Sequence, residues 1–395
     1  MKINKNYLKL EENYLFTEIA LRTKKFIDEN PDKPVIKLGI GDVTLPLSPF
    51  VADAMIAAFQ ELKHKESFRG YGPELGYGFA KNAVKEYYKG YGVDIEMEEI
   101  TIGDGIGSDI ANITDLFAKG ENTVLVPDPV YPLYKATSLM DGQKIVYLPC
   151  TAENKFVPIP PKDIKADMIY LCSPNNPTGA TFTYDQLKAW VDYANSCGAV
   201  ILYDNAYERF IEDSDKPHSI FEIEGAKTCA MEFGSLSKTA GFTCVRSGYS
   251  IVPLSLKDES GLSLNKMWQQ RQTTKYNGAP YPQQRGIVAA LSEQGMKDAD
   301  KNISEYKRNG QLIMQALDEK SIFYTGGVNS PYIWFQCPSG LTSWEFFDRM
   351  LNEIYVVGTP GVGFGECGEG YFRLSMFNTY ELTAEAMQRF RAWKI

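Results

Sequence analysis

The chain has 395 residues, with 41 Lys and Arg against 50 Asp and Glu, a formal net charge of −9. Hydrophobic residues make up 44%, charged residues 23% and aromatics 13%, the balance of a well-cored globular protein and not of a disordered one. An acidic balance without a basic block argues against binding of a nucleic-acid backbone, and no apolar run approaches the roughly 20 residues of a membrane span.

Histidine narrows the chemistry further. The sequence holds only His64 and His218, in no metal-ligand or triad-like spacing, so both are predicted as surface residues. The cysteines are odd in number and scattered, without a C-x-x-C pair. Cys150, Cys172 and Cys337 follow or sit within apolar runs, which predicts buried free thiols in a reducing compartment. Met1 to Leu10 is polar and has no signal-peptide apolar core, so the expected location is the cytoplasm.

In chain order, an N-terminal arm runs to about Lys33, with Tyr14, Leu15, Phe16 and Ile19 as apolar anchors. A short strand, VIKLGIGD, follows. From Asn122 onward short apolar runs alternate with helix-period segments: TVLVPDPVY, KIVYLPC, DMIYLCSPNNPTG, AVILYDNAY, CAMEFGSLSK and RSGYSIVP. Such alternation predicts an α/β domain with a mainly parallel sheet. One intervening helix reads closely. Thr183 as N-cap and Gln186 three residues on form a capping box; Leu187, Trp190, Val191 and Ala194 make one apolar face; Gly198 ends it.

Beyond Gln284 the pattern changes to a long helical stretch, Gly286 to Lys320, with a break near Met296. The strands IFYT and YIWF, the helix SWEFFDRML, the strand YFRLS and a terminal helix complete an α+β unit. The predicted division is an arm with part of a small domain over 1–44, a large domain over 45–284 and a small C-terminal domain over 285–395. Gly361, Gly363 and Gly365 read as a loop needing positive φ.

In parallel α/β sheets ligands bind outside the carboxyl ends of the strands. Here those ends carry Tyr131, Asn175-Asn176, Asp204 with Tyr207, and Ser235 with Ser237 and Lys238. That set suits a planar, phosphorylated, nitrogen-containing cofactor. A lysine amine can condense with an aldehyde, an aspartate can keep a pyridine nitrogen protonated, Asn and Tyr can bond a phenolic oxygen, and an aromatic can cover a ring. A phosphate needs backbone amides at a helix start, hydroxyls and a guanidinium. Ile102 to Ser108 leads into a helix-like segment and can supply the first; Ser235, Ser237 and Arg246 can supply the rest.

The motifs SPNNPTG, YDNAY and SLSKTAGFTCVRSGY together resemble the fold-type I pyridoxal-phosphate aminotransferases of class I/II. NYLF at Asn13, LGIGDVT at Leu38, RGYGPELG at Arg69, QRQTTKYNG at Gln270 and YFRLS at Tyr371 extend the resemblance over nearly the whole chain. The resemblance implies a large domain with a mainly parallel seven-stranded sheet, a smaller α+β domain, and a homodimer with shared active sites. It implies pyridoxal 5′-phosphate as cofactor and amine transfer from an amino acid, expected to be LL-diaminopimelate, to a 2-oxo acid, expected to be 2-oxoglutarate. Alternatives are an aminotransferase for lysine or another amino acid, or a lyase on the same fold.

Position by position, the resemblance implies that Lys238 anchors the cofactor and carries the proton between Cα and C4′. Asp204 would pair with the pyridine nitrogen, Asn176 and Tyr207 with the ring oxygen, and Tyr131 would stack on the ring. Ser235, Ser237, Arg246 and the Gly105, Ile106 and Gly107 backbone would hold the phosphate, joined by Tyr71 from the partner subunit. Arg373 would take the substrate α-carboxylate; Tyr14, Gly41, Glu74, Tyr131, Asn176 and Asn277 match substrate-contacting positions, Glu74 toward a distal ammonium. Two positions depart from the pattern. D-G-A-K reads Asp104-Gly105-Ile106-Gly107 here, so a lysine associated with substrate is replaced by Gly107, and Leu45 stands where a polar or charged residue is usual.

Overall fold

The computed structural model describes residues 1–10 and 15–395; Tyr14 lies outside them. Seven strands form the main sheet: β1 (Ile100–Gly103), β2 (Thr123–Asp128), β3 (Lys144–Pro149), β4 (Met168–Cys172), β5 (Val200–Asn205), β6 (Ala230–Ser235) and β7 (Gly248–Ile251). Their spatial order is β1-β7-β6-β5-β4-β2-β3. The pairs β2–β3, β2–β4, β4–β5 and β5–β6 are parallel, whereas β7 runs antiparallel to both β6 and β1.

The near-continuous apolar runs follow from burial of both faces of the sheet. Val124, Val126, Met168, Tyr170, Val200 and Leu202 pack on one side in the larger core. Their alternates Leu125, Ile169, Leu171, Ile201 and Tyr203 pack on the other against Leu187, Trp190, Val191 and Ala194. Those four belong to the helix Tyr184–Cys197, with its capping box of Thr183 and Gln186 and a left-handed Gly198 (φ 72°) at its end.

A second sheet uses β8 (Tyr324–Gly326), β9 (Tyr332–Gln336), β10 (Thr359–Pro360) and β11 (Tyr371–Ser375) in the order β10-β11-β9-β8, all antiparallel. Of VIKLGIGD only Ile36–Lys37 is a strand, pairing in parallel with Val356–Val357. This brings Gly39 to Gly41 beside the second sheet, where Ser375 N donates to Leu38 O at 2.7 Å.

Three expectations are corrected. The break in the long helical stretch falls at Leu291–Ser292, between the helices Tyr281–Ala290 and Glu293–Glu319, because Ser292 caps the second by accepting from Gly295 N at 3.2 Å. A Cβ on Gly295 would come within 2.0 Å of Ala289 O, so this tight junction needs glycine there. His218 is half-buried, stacked on Tyr91 at 4.6 Å with Nδ1 3.4 Å from Glu208; His64 is exposed. In the Gly361 loop only Gly365 has positive φ (139°). Gly361 and Gly363 are there for close packing, since their Cβ atoms would lie 2.2 Å from Gly368 O and from the Leu15 side chain.

Among the described residues no helix is long and apolar enough to cross a membrane. All seven cysteines are free; Cys150, Cys172 and Cys337 are buried, as their apolar runs predict.

Candidate active site

A cavity of about 400 Å³ opens where the carboxyl ends of β4, β5 and β6 meet the second sheet and the segment Ile40–Asp42. Gly41, Ile106, Gly107, Tyr131, Asn176, Asp204, Tyr207, Ser235, Ser237, Lys238, Arg246 and Arg373 all line it. Gly105 lies at its edge, beneath the Arg246 guanidinium. Glu74 and Asn277 are exposed and do not reach the cavity of their own chain, and Tyr71 is 94% exposed.

One end of the cavity is built for an anion. Ser235 caps the short helix Leu236–Thr239, its Oγ accepting from Ser237 N at 3.1 Å. Nearby is the start of the helix Ile106–Asn112; Ser108 N and Asp109 N bond the Gly105 carbonyl, which leaves the amides of Ile106 and Gly107 for a ligand. Gly105 takes φ 115°, and a Cβ there would lie 2.6 Å from Arg246 Nη2, so only glycine lets the guanidinium close over this turn.

The other end holds Asp204, buried at the end of β5. Its Oδ2 accepts from Tyr134 Oη at 2.6 Å and its Oδ1 from Ala206 N at 3.1 Å. Burial raises its carboxyl to about 6, the signature of an acid that lacks a cationic partner. Tyr134, itself held flat against Tyr170 at 4.8 Å, was not singled out from the sequence, where it resembles any core aromatic.

Lys238 donates from Nζ to Gly41 O. Desolvation draws its ammonium down to about 8, opposed by Asp42 and reinforced by Arg373 and Arg246. Arg373, on β11, is only 1% exposed. Its Nη1 donates to Asn176 Oδ1 at 2.5 Å and its Nη2 to Gly39 O at 2.6 Å, while the Tyr332 and Phe364 rings lie 4.3 and 4.8 Å from its guanidinium carbon.

This donor set fits pyridoxal 5′-phosphate: an anion cradle that a Cβ on Gly105 would fill, a buried carboxylate awaiting a cation, and between them an amine already shifted toward its neutral form. A model of the family "aminotransferase class I and II" matches residues 33–390. The chain is 49% identical to LL-diaminopimelate aminotransferase of Lachnospira eligens over 99% of both chains, and 49% identical to that of Methanosphaera stadtmanae over 98% of both. The structure is similar to L,L-diaminopimelate aminotransferase from Chlamydomonas reinhardtii, with a TM-score of 0.94 and 40% identity over 99% of this chain and 98% of that one. With the fold and this extent of likeness, the chain belongs to aminotransferase class I and II: it is a pyridoxal-phosphate-dependent enzyme that moves an amine between an amino acid and an oxo acid.

Proposed function

We propose that the chain transfers the amine of LL-diaminopimelate to 2-oxoglutarate, serving lysine biosynthesis in the cytoplasm. The observation that carries the reading is the meeting of Lys238, Asp204 and buried Arg373 in one cavity of a chain half identical to two enzymes of that name. The seven free cysteines accord with a reducing compartment.

When bound, the cofactor supplies a protonated pyridine ring that accepts the electrons of the substrate's Cα–H bond. Asp204 would hold the proton on the ring nitrogen, a cation that favours its carboxylate form against the upward push of burial. Tyr207 and Asn176 bond the ring oxygen. With Asn176 Oδ1 committed to Arg373, its amide nitrogen is left as the donor for the ring oxygen. Tyr131 covers the ring, and Ser235, Ser237, Arg246 and the Gly105–Gly107 amides hold the phosphate. Arg373 takes the α-carboxylate as a fork that lysine could not reproduce. Lys238, its amine lowered to about 8 by burial and so increasingly neutral above that pH, would take the proton from Cα and return it at C4′.

The sites are shared in a homodimer. Phe50, Ile56, Phe59, Phe68 and Tyr71 are all exposed, large apolar side chains of the kind an interface covers, and Tyr71 is the side chain that would complete the partner's phosphate cradle. Glu74 and Asn277 are both exposed and close in space, Gly278 packing against the Glu74 backbone, and both would meet the partner's substrate. Mixing Tyr71→Ala with Lys238→Ala subunits should restore activity through one intact site per heterodimer. Verified heterodimers without activity, or an active monomer, would contradict shared sites.

Gly107 sets the donor preference. Glycine has no side chain to offer a distal carboxylate, and a Cβ there would meet nothing within 4 Å, so the position has room for one. A charge-assisted hydrogen bond contributes roughly 1.5–3 kcal/mol, so its loss weakens diaminopimelate by about ten- to a hundredfold while lysine, lacking that carboxylate, loses nothing. Discrimination between the two is therefore narrowed, with diaminopimelate still ahead. Competing steady-state assays test this, and a higher kcat/KM for lysine would overturn the named donor. Gly107→Lys should raise efficiency for diaminopimelate alone; an equal change for both donors would show that position 107 does not read the distal group.

A further inference from the structure

The geometry points to Tyr332 as a positioning residue that sets the strength of the Tyr207 hydrogen bond to the cofactor's ring oxygen. The inference rests on the proposed placement of Tyr207 at that oxygen. Tyr332 begins β9 and is buried; β9 pairs with β11 so that Tyr332 faces Ser375 and lies diagonally beside Arg373. Its hydroxyl stands 2.9 Å from the Tyr207 hydroxyl, with the two rings edge to face at 5.2 Å.

The hydroxyl of Tyr332 also fills the space over Gly41, where a Cβ would lie only 2.3 Å from it. The same Gly41 accepts from Lys238 through its carbonyl. One buried phenol thus touches Tyr207, Arg373 and the glycine that receives the Lys238 amine.

Between two hydroxyls only one can donate. When Tyr207 gives its proton to the ring oxygen, Tyr332 must donate to Tyr207. A hydroxyl that accepts a bond becomes the stronger donor, because successive bonds polarise one another. Tyr332 therefore favours the deprotonated ring oxygen. The charged and titratable groups around the pair are Arg373, Tyr131 and Cys172 beside Tyr332, and Asp204 and Cys172 beside Tyr207. Burial lifts both phenols above their ordinary range, so each keeps its proton through neutral pH and acts as a fixed donor.

The test is a double-mutant cycle on the holoenzyme, read from the pH at which the bound cofactor's absorption band titrates. Tyr332→Phe removes only the hydroxyl and keeps the ring over Arg373. It should move that pH up by roughly a tenth to a third of the shift in Tyr207→Phe, the fraction by which one hydrogen bond strengthens the next. Tyr207→Phe should move it further, and adding Tyr332→Phe to Tyr207→Phe should change nothing more. Melting temperatures of the three variants report the fold separately. A Tyr207→Phe shift with none in Tyr332→Phe, or shifts that simply add, overturns the role of Tyr332 and leaves the placement of Tyr207 standing. No shift in Tyr207→Phe overturns both.

Discussion

Lys238→Ala should abolish turnover, lowering kcat by upwards of about 10⁴-fold, the upper end for a positioned acid–base group that is also the covalent anchor. The proposed phosphate cradle of Ser235, Ser237, Arg246 and the Gly105–Gly107 turn is untouched, so the variant should still bind pyridoxal phosphate, more weakly and reversibly. The amine also predicts a pH dependence. Only neutral lysine attacks an aldehyde, and Lys238 is lowered to about 8, so covalent uptake of cofactor by the apoenzyme should accelerate as pH rises through that value. Stopped-flow absorption on cofactor-free protein measures it. A rate that falls as pH rises, or undiminished turnover in the alanine variant, would remove Lys238 from the chemistry.

Asp204→Asn keeps the shape of the site and deletes one charge. Breaking a buried ion pair by removing one partner costs about 3–5 kcal/mol, which corresponds to about 10²–10⁴-fold in rate if the lost interaction belongs to the transition state. The loss should fall mainly on kcat. The substituted amide keeps one carbonyl oxygen, which can still accept one of the two bonds that now fix the carboxylate, from Tyr134 at 2.6 Å or from Ala206 at 3.1 Å. Steady-state kcat and KM for one amino donor separate the outcomes: a KM effect alone would make Asp204 a structural cap at the end of β5, not the partner of the ring nitrogen.

Why some of this was legible in the sequence and some was not follows from range. The helix Tyr184–Cys197 is specified locally, by a cap, an apolar period and a terminal glycine within sixteen consecutive residues, Thr183 to Gly198. The polar residues at the ends of β4, β5 and β6 were legible because strand ends in a parallel sheet share one edge, so adjacency in space follows from the run pattern. The antiparallel direction of β7 was not, since nothing in RSGYSIVP marks strand direction. Tyr134 and Tyr332 were missed for a related reason. Each sits in an apolar setting, LYKATSLM or YIWFQ, and its polar end acquires meaning only through a partner 70 residues away at Asp204 or 125 residues away at Tyr207. The Gly361 loop shows the opposite error: its glycines were legible, but two of the three answer to packing and only Gly365 to torsion.

Lys238 is the residue that would hold the cofactor of this enzyme. Borohydride reduction of the holoenzyme, followed by proteolysis and peptide mapping, tests it directly, because reduction fixes the pyridoxyl group to whichever amine carries it. The geometry predicts a single label on Lys238, the one lysine that lines the cavity between the Arg246 cradle and Asp204. A label on any other lysine, with Lys238 unmodified, would contradict it.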